Sequence, residues 1–264
     1  MEYIQKVFLN VQAYLQEPRD LENVIAFIDA EPPEFRSVAY ESAAMELAMH
    51  ELPGTIELKN WKKFYESSLK AHTFHMDIGL GWAFAKKGIS PGPYLEFLHP
   101  VMNWMVFDGI GYYNGLFRGR RTVKSQWIPE DVDEHNLYGF DQGLGRRLWY
   151  ISMGEVNKLV ELMNQFPVSR QPDLWRGVGI ACGYVGGCVK ANLEQLLIYS
   201  VGFKEQLSTG VALAAISRNA SNSITGDIEL TCEIICRKPI IEVLEIGPAI
   251  TDKFYLQSII DNFN

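Results

Sequence analysis

The sequence predicts an all-α protein: an array of about six helix-pair repeats, either a TPR-like α-solenoid or a closed helical array, in two pseudo-equivalent halves. Three observations predict it. Small-x-small units recur at a nearly constant spacing, the segments between them carry helical apolar stripes, and turn-forming residues punctuate the boundaries. The units begin at Ser42, Gly79, Gly109, Gly143, Gly177 and Gly210, so they follow one another after 37, 30, 34, 34 and 33 residues. Corresponding units of the two halves lie 101, 98 and 101 residues apart, and "GLGWA" (79–83) matches "GVGIA" (177–181). A period near 34 residues is what two short antiparallel helices and their turns require.

Residues 1–36 read as an N-terminal cap. "MEYIQKVFLNVQAYLQEPRD" carries acid, lysine and glutamine among its apolar residues, so it does not read as a secretory h-region. Asp20 is placed to cap a helix, and "AEPPEFR" (30–36) separates it from the next. The first half spans 37–117. It holds the units "YESAAMELAM", "HMDIGLGWAFA" and "FDGIGYYNGLF", with "NWKKFYESSLKA" as an amphipathic partner and "ISPGPYLEF" (89–97) as a loop. Residues 118–139 form the longest aperiodic stretch and connect the halves. Their cluster Arg118, Arg120, Arg121 and Lys124 reads as a solvated loop, with an anion site as the alternative.

The second half spans 140–220, with "FDQGLGRRLWY", "WRGVGIACGY" and "STGVALAAIS". In "EVNKLVELMNQF" (155–166), Val156, Leu159, Val160, Met163 and Phe166 form one stripe, and "ANLEQLLIYSVGF" reads similarly. Residues 221–264 form a C-terminal cap, expected to hold two helices broken near Pro239 and Pro248. Within it "IELTCEIIC" also alternates as a strand would. The five glycines of "DLWRGVGIACGYVGG" (173–187) have a physical reading. Each interior glycine costs about 0.5–1 kcal/mol relative to alanine, so a packing gain must offset it. Small residues four apart, such as Gly79/Ala83, Gly177/Ala181 and Gly210/Ala214, share a helix face and form grooves for a neighbouring helix.

Several function classes are excluded. Asp and Glu number 32 against 24 Lys and Arg, a formal charge of −8, which opposes a nucleic-acid partner. No P-loop string occurs, and the segments before the glycine units do not read as the first strand of a dinucleotide fold. The apolar run from Gly177 to Val189 is too short to span a bilayer. Four cysteines make no disulfide framework, and reduced, buried thiols fit a cytoplasmic protein. No motif calls for a cofactor.

Polar residues beside the units are the site candidates: Glu41, Asp77, Asp108, Asp141 with Gln142, Arg146, Trp175 and Arg176, and Ser208 with Thr209. One reading makes them helix caps. The other places equivalent positions of successive repeats on one concave surface, where solenoids bind; Asp141 and Arg176 are then expected to approach each other or a shared ligand. "HTFHMD" is the one metal-like string, with His72, His75 and Asp77 at i, i+3 and i+5. It lacks the HExxH or paired Glu-x-x-His pattern, so a structural histidine pair is preferred and no metal is assigned.

"DGIGYYNGLF", "FDQGLGRRLW", "FPVSRQPDLWRGVGIACGYVGG" and "STGVALAAISRNA" closely resemble the bacterial domain-of-unknown-function family 1702, found among other places in gene clusters for enediyne antibiotics. The resemblance covers roughly 36–220. "YESAAMELAM" departs from it, with serine and alanine in place of glycines, and the tail matches poorly. The resemblance implies a bacterial protein linked to specialised metabolism and supplies no catalytic residues. Two functions stay open: a scaffold presenting a concave surface to a protein or peptide, and an enzyme or carrier holding a lipophilic small molecule. For the second, Trp82, Tyr112, Tyr113, Trp149, Tyr150, Trp175 and Tyr184 would line a cavity.

Overall fold

A computed structural model of the chain describes residues 2–54, 56–68, 71–96 and 104–246. In chain order these form α1 (Glu2–Tyr14), α2 (Leu21–Asp29), α3 (Pro33–Glu51), α4 (Lys59–Ser67), α5 (Thr73–Lys87), α6 (Gly92–Leu95) and α7 (Trp104–Phe117). The second half continues with α8 (Leu137–Ile151), α9 (Val156–Met163), α10 (Gln171–Val185), α11 (Lys190–Tyr199), α12 (Lys204–Ala220), α13 (Gly226–Thr231) and α14 (Ile240–Glu245). Wide helical turns occupy Arg120–Lys124 and Cys232–Cys236. Among the described residues there is no strand, as the periodicity predicts.

The small-x-small units sit inside α3, α5, α7, α8, α10 and α12, and each of these helices packs on the next. Their contact geometry repeats. The first small residue of a unit meets the preceding helix, and the third meets the following one. A Cβ on Gly177 would lie within the carbonyl of Gln142 and 2.7 Å from the Arg146 nitrogen, while one on Gly179 would strike Leu207 and sit 3.1 Å from Gly210 Cα. Gly143 and Gly145 make the equivalent contacts to Asp108 and Leu174, and Gly79 and Gly81 to Glu41 and Val106. Backbone therefore touches backbone, which only a residue without a side chain permits.

Contacts between α7 and α8 advance together, Gly139 on Trp104, Gly143 on Tyr112 and Gly115 on Arg147, so the neighbouring glycine helices run parallel. The intervening helices return the chain outside them. Those partners are shorter than the repeat predicts: α6 is four residues long, and only the turn Arg120–Lys124 follows α7.

Ser42 explains the departure in the first unit. The helix preceding α3 in the array is α1, and the buried Ser42 hydroxyl donates to the Phe8 carbonyl at 2.7 Å. A serine there gains a hydrogen bond that glycine lacks. The inner helices are buried on nearly all sides (α5 continuously from His75 to Ala85), while α9 shows the expected one-sided stripe, burying Val156, Leu159 and Met163. Asp20 takes the N-cap position of α2 without a side-chain bond.

Two local expectations are corrected. "IELTCEIIC" is helical throughout, because Ile228, Cys232 and Ile235 form a helical face buried in the core. The connector holds a helical turn, whose Arg121 guanidinium stacks 3.7 Å from the Trp127 ring centroid. The tail breaks at Pro239, which precedes α14; the expected break at Pro248 lies outside the described residues.

Candidate functional site

The polar residues beside the glycine units are not caps. Asp77, Asp108, Asp141, Gln142 and Arg176 stand a full turn or more inside their helices, with Glu41 deeper still, and all are buried. They do not form an open concave surface either. Parallel helices in register bring equivalent side chains to one level, and burial forces them to satisfy one another.

Asp108, Gln142 and Arg176 each precede the first small residue of their unit, and they join across three helices. Gln142 Nε2 donates to Asp108 Oδ2 at 2.6 Å, and Arg176 Nε donates to Gln142 Oε1 at 2.6 Å. Arg176 also pairs with Asp173 at 2.8 Å. Arg146, one turn beyond Gln142, forms a short ion pair with Asp108 and stands 5.0 Å from the Tyr112 ring centroid.

Arg176 is near enough to act electrostatically on Asp141, as expected, but the ion pair that Asp141 forms is with a different guanidinium. Asp141 is held bidentately by Arg170, with Nε at 2.9 Å. Arg170 precedes α10, outside the repeat register, and also donates to the Gln126 carbonyl at 3.3 Å, tying the connector to the array. Trp175 is core. Ser208 serves the C-terminal cap, donating to the Ile235 carbonyl at 3.1 Å.

The metal-like string disperses. His72 Nδ1 meets Ser37 Oγ at 2.9 Å and its ring stacks on Tyr40, while Asp77 accepts from Tyr65 on α4 at 3.4 Å. Among the described residues no cluster of metal-ligating side chains occurs. All three are buried, and of them His75 alone lines the pocket between the glycine helices. Its ring lies 4.7 Å from that of Tyr184, three glycine helices further on, so side chains of non-neighbouring helices meet across the array.

Between α5, α7, α8, α10 and α12 lies a chamber of about 40 Å³, lined by Phe74, His75, Arg146, Tyr150 and Tyr184 among apolar neighbours. Phe74, Tyr150 and Ile180 are half-buried and mark where it reaches the surface. His75 Nδ1 is buried without a partner, and the Tyr184 hydroxyl, near Ser37, also lacks one at hydrogen-bonding geometry. The remaining predicted aromatics pack elsewhere: Trp82 stacks on Tyr112, and Trp149 is core. A larger cleft of about 220 Å³ opens between α3, α4 and the α1–α2 loop, remote from these groups.

Electrostatics separate the buried groups. Burial pushes Glu41 up to about 7, opposed by Arg146 and reinforced by Asp108. Asp141 rises to about 6 by burial despite Arg170. Asp77 lies well above the usual carboxylate range by burial. His75 is held well below its usual value, by burial first and then by Arg146, His72 and Arg218.

Arg218 was not legible beforehand. It is buried, sits 4.3 Å from the Tyr184 ring centroid, and donates to the carbonyls of Tyr184 and Ser223.

Residues 1–253 match a family described as "Protein of unknown function (DUF1702)". The chain belongs to that family. The match extends through α1 and α2 and to the tail, where the sequence resemblance was weak. No curated protein and no solved structure matches the chain. The family brings no assigned residues, so the chemistry of the DUF1702 chamber rests on its own side chains. No described helix is long and apolar enough to cross a membrane.

Proposed function

We propose that this DUF1702 chain binds one end of a small, largely apolar molecule in the pocket between its glycine helices, as a carrier or enzyme accessory to a specialised-metabolite pathway. One observation carries the reading. His75, buried with an unpartnered ring nitrogen, faces a cavity framed by Arg146 and Tyr150. Leaving such a group unsatisfied costs about 1–3 kcal/mol, and a ligand bond would relieve it. The inner polar faces are closed over rather than presented to solvent, which disfavours a peptide lying along a concave surface. The place in specialised metabolism is supported by the family resemblance alone.

A second reading, a scaffold for a protein partner, is favoured by exposed apolar side chains at α11: Val189, Ile198, Tyr199 and Val201. Native mass spectrometry of freshly purified protein separates the two. A co-purifying mass of a few hundred daltons, lost on denaturation, supports the chamber. A bare chain, or a chain carrying only a protein-sized partner, overturns it.

A further inference from the structure

The unpartnered polar atoms of the pocket are buried, whereas its mouth is bordered by hydrocarbon. His75 is 6% exposed, its Nδ1 has no partner, and the Tyr184 hydroxyl is likewise buried without a hydrogen bond. Phe74, Tyr150 and Ile180, where the pocket reaches the surface, offer mainly apolar atoms. A molecule that enters polar end first satisfies both regions.

Charge decides the kind of polar end. Among the described residues that line the pocket, Arg146 is the one side chain with a permanent charge, and Asp108 already matches it in an ion pair. A carboxylate would have to compete with Asp108 for that guanidinium, and an ammonium would be repelled by it. No carboxylate lines the pocket to hold a proton on His75. The buried imidazole is therefore neutral, with one donor and one acceptor nitrogen. We infer that the pocket receives an uncharged oxygen group, a hydroxyl or a carbonyl, at His75, with the apolar body of the molecule leaving between Phe74 and Ile180. This rests on the reading of the pocket as a ligand site. One water-sized group needs about 10–15 Å³, so a volume of about 40 Å³ takes about three heavy atoms and leaves the body at the mouth.

Probes that share a fluorophenyl ring and differ in one substituent test it by ¹⁹F NMR titration of the full chain: 4-fluorobenzyl alcohol, 4-fluoroacetophenone, 4-fluorobenzoate, 4-fluorobenzylamine and 4-fluorotoluene. The alcohol or the ketone should bind saturably, at least about tenfold tighter than the acid, the amine and the hydrocarbon. Binding of both supports a donating Nδ1–H, and binding of the alcohol alone supports an accepting nitrogen. His75→Phe keeps the aromatic contact with Tyr184 but removes the ring nitrogens. It should bring the alcohol and the ketone down to the affinity of 4-fluorotoluene while leaving 4-fluorotoluene itself unchanged. Ser217→Leu, which fills the pocket wall without touching a charge, should weaken every probe that binds.

Tightest binding of the acid or the amine would overturn the uncharged-oxygen assignment and leave the pocket reading standing. Equal binding of 4-fluorotoluene, the alcohol and the ketone would do the same, as would alcohol and ketone binding undiminished in His75→Phe. If no probe binds, the assignment fails, and the pocket reading falls with it only if native mass spectrometry also shows a bare chain.

Discussion

Alanine at Gly177 tests the packing rule at a contact where backbone meets backbone. Its new methyl would be forced inside the Gln142 carbonyl and to 2.7 Å from the Arg146 nitrogen, where ordinary contact begins at 3.4 Å. Both obstacles are backbone, so no side chain can swing away; α8 and α10 must part. Overpacking of this kind costs about 1–3 kcal/mol, occasionally more. Against it stands a gain of about 1 kcal/mol from replacing glycine in a helix interior. The upper range applies where backbone is the obstacle, so the net loss should be about 2 kcal/mol. With a slope of about 1–3 kcal/mol/M in urea, the midpoint should fall by roughly 1 M at constant slope. Gly119→Ala is the control. Its backbone is right-handed helical at φ −55°, and nothing lies within 4 Å of a new methyl, so it should be neutral or gain up to about 1 kcal/mol. A Gly177→Ala midpoint equal to or above that of the native protein would refute the backbone-contact account.

Three further outcomes follow from the buried polar groups. Glu41 is raised from 4.5 to about 7, so folding is penalised as pH rises through that interval, and fully so above it. Glu41→Gln should therefore be more stable than the native chain by about 3 kcal/mol at pH 8, shrinking below about 1 kcal/mol at pH 5, as read from paired denaturation curves. A constant difference would contradict the assignment. His75→Phe removes an unsatisfied nitrogen and should raise stability by about 1 kcal/mol in thermal unfolding; a clear loss would show that the ring makes bonds not accounted for. A double-mutant cycle of Asp141→Asn and Arg170→Met should give coupling of about 1–3 kcal/mol, whereas pairing Asp141→Asn with Arg176→Met should give less. Equal couplings would contradict the observed partner choice.

Much of this architecture was legible because the glycine spacing is a direct record of helix contact. A residue that must touch backbone cannot vary in size, so Gly79, Gly109, Gly143, Gly177 and Gly210 mark the repeat wherever the side chains around them differ. The inward level of Asp108, Gln142 and Arg176 followed from the same register. Partner choice did not. Arg170 lies in the loop before α10, where no periodicity places it, and it reaches Asp141 first. The contact across the array was illegible for another reason. His75 and Tyr184 meet only because small rotations accumulate over several helix contacts, and no local pattern encodes their sum. Alternation misled at "IELTCEIIC", where burial of Ile228, Cys232 and Ile235 against the array outweighs strand propensity.

The central claim, that the glycine helices enclose a chamber a ligand can enter, is tested most directly by crystallography under xenon pressure. Xenon enters apolar cavities with room for it and leaves packed core empty. The account predicts a xenon site beside Ile180, Leu213 and Ala214 in the native protein, within the chamber of about 40 Å³, and its loss in Ser217→Leu. A native structure with continuous side-chain density across that space, and no xenon there at any pressure the crystals survive, would contradict it.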